Sequence, residues 1–424
     1  MKLLVISRDC FSKTNANGKT LESLLCSFKK EELIQFYTGV DNPDFDFCYS
    51  YFRITDMQMM KSFIKSPVVT VEKVYNTVAS NTGAEQTSEL KIWASLKKLN
   101  YNFAVRYLRE LLWKVSPRWK KKFYQWIEKE QPTAIMYMVG DSFYLDNFVL
   151  DISKRYNIPV ILFNVEAYRI INCKERTGFD CLYNKKSERS YEKIQKQSAL
   201  TIYNCNLLKE AYQKFYSIIE ENAQIAYNAH IFDMERYTPV EGRCNIGYFG
   251  NLGVGRVSSL IDIANVLKKI APELRIDVYG RAPEKEEPFL RDHSHINYHG
   301  HVSQDVLTKV KQNADILLQV ESFDPNIMKK LKYAFSTKIA QCLCAGRALL
   351  SYAPIETAST IYLKEENVAA IADDMESLKS ELSRLINESN YRKVWADRAL
   401  KVAHANHDSA SIGVNVRKQI EQLI

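Results

Sequence analysis

The stretch Ala314–Pro354 limits what this chain can fold into more than any other. It opens on an apolar run, Ile316, Leu317, Leu318 and Val320, that ends in an acid, Glu321. A short apolar run of this kind is what a strand buried on both faces looks like. A polar loop follows, and then Phe335-Ser336-Thr337-Lys338 leads into an apolar helix stopped at Gly346. A second apolar run, Ala348 to Tyr352, is closed by Pro354. Strand, loop, helix, strand is the unit of a parallel α/β sheet. Glu321, Ser336, Thr337 and Lys338 all fall near a strand's C-terminal end or a helix's start, where open α/β sheets bind ligands. Ser and Thr at a helix start are ordinarily caps. Lys338 is different, because a cation in the first turn opposes the helix dipole unless an anion lies between them. The stretch therefore predicts a phosphate site.

The rest of the chain is consistent with that class. At 424 residues it exceeds one ordinary core and predicts two domains. With 46% hydrophobic and 25% charged residues it is globular, not disordered. A formal charge of +8 favours anionic partners without choosing among nucleotides, nucleic acid and membrane. The nine cysteines are scattered and odd in number, which reads as reduced cytosolic thiols and not a disulfide framework. MKLLVISRDC reads as a first strand and not a signal peptide, and no stretch is apolar for the ~18 residues a membrane span needs.

In the first half, a strand at Leu3–Ser7 runs into a polar loop, Arg8 to Lys19, before a helix from about Thr20. Asn17 and Gly18 at the tip of that loop are candidates for close approach to a ligand or acceptor; an ordinary turn is the alternative. Residues 91–130 are a basic insertion holding four of the five tryptophans: Trp93, Trp113, Trp119 and Trp126. Lys97, Lys98, Arg106, Arg109, Lys114, Arg118, Lys120, Lys121 and Lys122 crowd among them. Two readings stand level. One is a helix lying on a membrane, with Trp113, Trp119 and residues Arg118 to Lys122 at the headgroups. The other is a pair of packed helices with tryptophan inward and lysine outward. Single-stranded nucleic acid is a weaker third reading. From Pro132 the strand–helix alternation becomes regular, and it places Asp141 and Glu166 just past strand ends as candidate functional acids.

Residues 229–243 read as a linker between a domain at 1–228 and a second at 244–405, with a final helix at 406–424 that could cross back to the first domain. Ile246–Phe249 runs straight into Gly250-Asn-Leu-Gly253-Val-Gly255-Arg256, a glycine-rich turn ending in a charged fork, as a diphosphate cradle requires. It is neither a dinucleotide fingerprint nor a P-loop. Four histidines between His293 and His301 invite a metal reading, but they cover a short strand whose alternation splits neighbouring side chains, so no metal site is expected. All seven histidines lie after residue 229, so the first domain supplies no catalytic histidine.

Tyr248-Phe-Gly-Asn-Leu-Gly-Val-Gly-Arg256, the Gly300-His301-Val302 turn, Ala314-Asp315 and Phe335-Ser-Thr-Lys-Ile339 with Gly346 together resemble the GT-B glycosyltransferases. The resemblance is closest to the retaining family 4 type that includes bacterial capsule and lipopolysaccharide transferases. It covers most of residues 245–360; the first half matches only in architecture. It implies an α/β fold of two Rossmann-like parallel-sheet domains facing a cleft. It also implies transfer of a sugar from a nucleotide-diphosphate sugar to a glycan or lipid-linked acceptor, with retention and without a metal. On that resemblance Arg256 and Lys338 neutralise the diphosphate, Gly253 and Gly255 lie against the donor, and His301 and Val302 lie near the base. Ser336 and Thr337 line the same site. The family's ribose-binding acid is replaced by Gln341, and its earlier partner acid by Tyr333. Glu321 is the candidate to contact the sugar, and Asp141 or Glu166 to stand where the family has an N-terminal histidine. The implied location is cytoplasmic, at the inner face of the plasma membrane.

Other readings compete. A sugar-nucleotide epimerase or a phosphorylase could share the architecture, although an epimerase would want histidines from both domains. A non-catalytic nucleotide-sugar-binding scaffold is compatible with Gln341 and Tyr333. A nucleic-acid protein is not expected.

Overall fold

The computed structural model describes residues 1–13, 15–63, 70–72, 103–116, 118–170, 178–218, 222–230 and 237–424. Trp93, Lys97 and Lys98, and positions 231–236 of the expected linker, lie outside the described residues. The chain divides into two compact units, Met1–Ala226 together with Gly413–Ile424, and Tyr227–Ile412.

The first unit is built on an eight-stranded sheet. Its strands are β1 (Leu3–Ser7), β2 (Leu33–Tyr37), β3 (Ser50–Arg53), β4 (Thr70–Glu72), β5 (Ala134–Met138), β6 (Val160–Asn164), β7 (Leu200–Tyr203) and β8 (Ala223–Ile225). The spatial order is β4-β3-β2-β1-β5-β6-β7-β8, with only β4 antiparallel to its neighbour. Leu3 to Ile6, Ala134 to Tyr137 and Ile161 to Leu162 are wholly buried, as parallel strands covered on both faces must be. The chain starts in the middle of this sheet, works outward to one edge, then returns beside β1. The strand order therefore reverses between β1 and β5, leaving a crevice beyond their C-terminal ends.

The second unit repeats the plan with six parallel strands. They are β9 (Ile246–Phe249), β10 (Ile276–Tyr279), β11 (Ile296–Gly300), β12 (Ile316–Val320), β13 (Ala348–Tyr352) and β14 (Ala370–Ala372), in the order β11-β10-β9-β12-β13-β14. Here the reversal falls between β9 and β12. Leu260, Ile263, Ala264 and Leu267 form one stripe of the Arg256–Ile270 helix and join Ile246, Ile276, Ile316 and Leu350 in the core. Each such side chain contributes roughly 1.5–3 kcal/mol on burial.

Several elements differ from the sequence reading. The first helix runs Ala16–Leu24, not from Thr20, because the Asn15 side chain accepts the Asn17 and Gly18 amides and starts it a turn early. Part of the polar loop after β12 is a helix, Pro325–Leu331, capped by Asp324. The described part of the basic tryptophan segment is a helical pair, Phe103–Val115 and Arg118–Glu130, and Trp113, Trp119 and Trp126 are buried in the core. Trp113 and Trp119 are each 1% exposed. Trp113 stacks on Tyr144 at 4.6 Å and donates to Asp56 Oδ1 at 2.7 Å, while Trp119 stacks on Phe36 at 5.8 Å. Neither indole is available to a lipid headgroup, so the membrane reading of these two residues is corrected. The periodicity was that of a core stripe.

Residues 413–424, on the Ser409–Glu421 helix, complete the first unit. Arg417 forks onto both carboxylate oxygens of Glu32 at 2.7 Å each and donates to Ser27 O at 2.9 Å.

Candidate functional site

The strand reversal in the second unit brings the ends of β9 and β12 side by side, and the charged groups gather there. Arg256, the first residue of its helix, lies opposite Glu321, the residue after β12. Arg256 Nε donates to Glu321 Oε2 at 2.9 Å and Nη2 to Oε1 at 3.1 Å, a two-pronged pair that fixes both planes. Gln319 Nε2 adds a bond to Glu321 Oε1 at 3.0 Å, and Ser259 Oγ holds the Glu321 carbonyl at 2.7 Å. Gly255 (φ 75°) sits against Ser322, whose Oγ would be 2.5 Å from an added Cβ, so the turn and the β12 end are in contact.

Lys338 lies next to this pair. Its ammonium is 3.9 Å from the centroid of the Tyr248 ring, and its buried Nζ has no hydrogen-bond partner. Burial pulls the ammonium down to about 7; Arg256 acts the same way, while Cys342 and Glu321 oppose it. In its charged form the group has three N–H donors, held out of solvent against the face of the Tyr248 ring.

The floor beside these groups is bare backbone. Glycine directly follows β9 and β10, at Gly250 and Gly280, and is the last residue of β11, at Gly300. Gly250 N bonds Tyr279 O at 2.9 Å and Gly280 N bonds Gly300 O at 2.8 Å. At Gly280 (φ 150°) a Cβ would fall 1.8 Å from Gly250 O, so only glycine fits. The other residues expected at the donor are placed less tightly. Gly253 N is taken by Asn251 Oδ1 at 2.9 Å, and Ser336 N by Ser359 Oγ at 3.1 Å. Thr337 makes no side-chain cap bond to the Lys338–Cys344 helix, on which Gln341 is half-buried. His301 is exposed and Val302 half-buried in the turn after β11. Among the described residues, no side-chain hydrogen bond or ion pair joins His301, Val302, Ser336, Thr337 or Gln341 to the Arg256–Glu321–Lys338 cluster. The histidine run is split as alternation requires: His293 meets Asn265, His295 meets Pro272 O and His299 meets Asp277 at 2.8 Å. Among the described residues no three His, Cys, Asp or Glu side chains are grouped to hold a metal ion.

In the first unit, the two candidate acids are in opposite states. Asp141 pairs with Arg106 at 3.1 Å. Burial works to raise its pKa, but Arg106, Arg109, Arg8 and Arg169 together outweigh it and hold the carboxyl below its ordinary range. Glu166, beyond β6, is half-buried with no cation to offset desolvation, and burial alone raises it to about 7. Glu166 can exchange a proton near neutral pH; Asp141 stays an anion. Glu166, Asp141, Arg8 and Asp9 all act electrostatically on Tyr168, so these strand ends form one neighbourhood. Asn17 bonds Asp9 Oδ2 at 2.7 Å, and Gly18 is packed against the Cys10–Ser12 loop, where a Cβ would meet backbone at 2.6 Å. Both sit in a helical turn and not at a loop tip, and Gly18 has no open side to offer a ligand.

Residues 261–416 match the family model described as glycosyl transferase-like. The fold is GT-B. HepE from Anabaena, solved with UDP, aligns over 100% of both chains with a TM-score of 0.63 at 12% identity. Sucrose-phosphate synthase from Thermosynechococcus elongatus gives 0.63 at 10% identity over 100% of this chain and 98% of its own. WaaG, a glycosyltransferase involved in lipopolysaccharide biosynthesis, gives 0.55 at 14% identity over 99% of each. No curated protein matches the sequence.

Glu321, Lys338 and Gln341 lie inside the matched residues, whereas the Gly250–Arg256 turn precedes them. Sequence reasoning missed the Tyr248 ring beneath Lys338 and the Arg256–Glu321 pair, whose partners are 65 residues apart. It also missed Glu110, buried in the first unit, which accepts Tyr144 N at 2.6 Å and Tyr183 Oη at 3.2 Å. Burial raises Glu110 to about 7. One usable signal was overlooked: Tyr-Phe-Gly250, Val-Tyr-Gly280 and Tyr-His-Gly300 each end a strand in aromatic-then-glycine, marking three adjacent strand ends.

Proposed function

We propose that the protein transfers a hexose from a nucleotide-diphosphate sugar to a glycan or lipid-linked acceptor, with retention, in bacterial surface-polysaccharide synthesis at the cytoplasmic face of the plasma membrane. The observation that carries this reading is the buried Lys338 ammonium, without a hydrogen-bond partner, beside Arg256 at a glycine-floored strand reversal. A diphosphate supplies the acceptor oxygens that Lys338 lacks, and it draws Arg256 from Glu321. The two cations then take the charge of the leaving group, so no metal is needed for that task. Gly250 leaves room for the donor against backbone, and Glu321, released from Arg256, contacts the sugar. His301 and Val302 serve the base, and Ser336, Thr337 and Gln341 the rest of the donor. In the transfer, the bond from the anomeric carbon to the phosphate oxygen breaks as the acceptor oxygen bonds on the same face. The acceptor's proton passes to the departing phosphate oxygen. Glu166 is the acceptor-side group that orients the acceptor hydroxyl, with Asp141 an ionised anchor.

UDP-linked sugars are the first donors to try, given the UDP complexes of HepE. The test is a thermal-shift screen of UDP-, GDP-, ADP- and CMP-sugars against the wild type and Lys338→Ala. A donor at a hundred times its Kd raises stability by about 2.7 kcal/mol. One donor class is expected to shift the wild type and not the variant. No shift with any nucleotide sugar, or an equal shift in both proteins, would overturn the reading. Binding without transfer or hydrolysis would instead favour a binding scaffold, the outcome to which Gln341 points.

A further inference from the structure

Lys338 and Arg256 stand on different helices, yet one buried side chain of β9 reaches the surroundings of both. The Lys338 ammonium lies 3.9 Å from the centroid of the Tyr248 ring. At the far end of that ring, Tyr248 Oη donates to Asn251 O at 3.0 Å, and the same carbonyl accepts Arg256 Nη1 at 3.2 Å. Nη1 is the guanidinium nitrogen left over when Nε and Nη2 bond Glu321. Gly250 lies between the two cations: a Cβ there would be 3.5 Å from Lys338 Cδ and 3.8 Å from Tyr248 Oη. Burial pushes the Tyr248 phenol up, so the hydroxyl stays protonated and remains a donor.

We infer that Tyr248 is a positioning residue of the proposed diphosphate site: its ring face holds Lys338 as an ammonium, and its hydroxyl holds the turn through the carbonyl that Arg256 shares. The inference rests on the donor reading of this site. Burial favours the neutral amine at Lys338 and Arg256 acts the same way, against Cys342 on its own helix and Glu321 beyond β12. The electron-rich ring attracts the ammonium and not the neutral amine, so it adds to the side of the charge. It does so without occupying any of the three N–H donors, which stay available to phosphate oxygens. A carboxylate in its place would also hold the charge, but it would take those donors and repel the ligand. The hydroxyl serves the second cation. Because Asn251 O is fixed by Tyr248, Arg256 keeps one anchor on the turn while its other nitrogens exchange Glu321 for phosphate.

The experiment compares the wild type, Tyr248→Phe, and the full chain carrying a ring-trifluorinated phenylalanine in place of Tyr248. Both replacements keep a six-membered ring in the pocket, and fluorination strips the negative charge from its face. In the ligand-free protein, the Cε resonance of isotope-labelled Lys338, assigned with Lys338→Ala, is followed against pH by NMR. The wild type and Tyr248→Phe are expected to titrate together, and the fluorinated protein about one pH unit lower. Calorimetry with the donor class found in the thermal-shift screen reads the consequence. Above the wild-type midpoint the fluorinated protein is expected to bind about tenfold more weakly than Tyr248→Phe, and to match it about two units below the midpoint. Tyr248→Phe itself is expected to bind about two- to tenfold more weakly than the wild type at every pH, since it lacks only the bond to Asn251 O. A common midpoint for all three proteins overturns the inference. So does a fluorinated protein that low pH does not restore, or a Tyr248→Phe that binds as the wild type does. If no nucleotide sugar binds the wild type, the donor reading falls, whereas a lowered midpoint still establishes the hold of the ring on Lys338.

Discussion

Arg169 in the first unit and Lys338 in the second are both buried cations, and their surroundings are opposite. Arg169 donates to Ser187 Oγ at 2.7 Å, Ser142 O at 2.9 Å and Asp146 Oδ1 at 2.8 Å, and both ion-pair side chains are fully buried. Tyr137 Oη adds a bond to the same carboxylate oxygen at 2.9 Å. Lys338 has the Tyr248 ring and no hydrogen bond. Burial works against the charge at both positions, but at Arg169 the Asp146 partner prevails, whereas at Lys338 burial wins and the pKa falls to about 7. The paired cation spends its bonds on holding helices to the sheet. On the proposed reading, the unpaired one keeps them for the phosphates of the donor. Two buried cations thus differ most in their hydrogen bonds, and that difference is what the proposed site at Lys338 rests on.

Three measurements break or sharpen that contrast. The largest effect is expected at Arg169→Ala, which leaves Asp146 buried without its counter-charge. Denaturant melts should show a loss of about 3–5 kcal/mol, and a loss below ~1 kcal/mol would put Arg169 outside the structural class. Next is pH. With the free ammonium at about 7, a bound diphosphate raises its pKa, so donor binding takes up a proton. Affinity measured by calorimetry should be full below about pH 7 and fall by up to tenfold per unit above it, until the pKa of the complex is reached. A flat profile would mean the lysine does not meet the donor's charge. The smallest effect is on the ligand-free protein: Lys338→Met removes a desolvated amine and is expected to raise stability by ~1 kcal/mol at neutral pH. The wild type should itself gain stability as pH rises from about 7, since the unfolded lysine holds its proton up to the usual 10.5. A destabilised Lys338→Met would show the ring contact to be structural and would blur the comparison.

The strand–helix alternation of the second unit was legible because β9, β12 and β13 are apolar runs buried on both faces, and the Gly250–Arg256 turn follows directly on one of them. Lys338 was legible as an anomaly, a cation at a helix start. What surrounds it was not, since Tyr248 and Glu321 reach it only through sheet order. The tryptophan segment failed for another reason. An amphipathic pattern states that one face is apolar, but not whether protein or lipid covers it. Only the stacking of Trp113 on Tyr144 and Trp119 on Phe36 settles which. Asn17 and Gly18 were misplaced because Asn15 is an N-cap and starts the helix ahead of them.

The Arg417–Glu32 fork also bears on how the chain is made. Residues 413–424 leave the ribosome after the whole of 227–412, yet they pack with residues 1–226. The first unit to be synthesised is thus the last to be finished. Until the Ser409–Glu421 helix arrives, Glu32 has no guanidinium and the Cys26–Ser27 surface no cover, so the growing chain carries an open seam while its second sheet assembles.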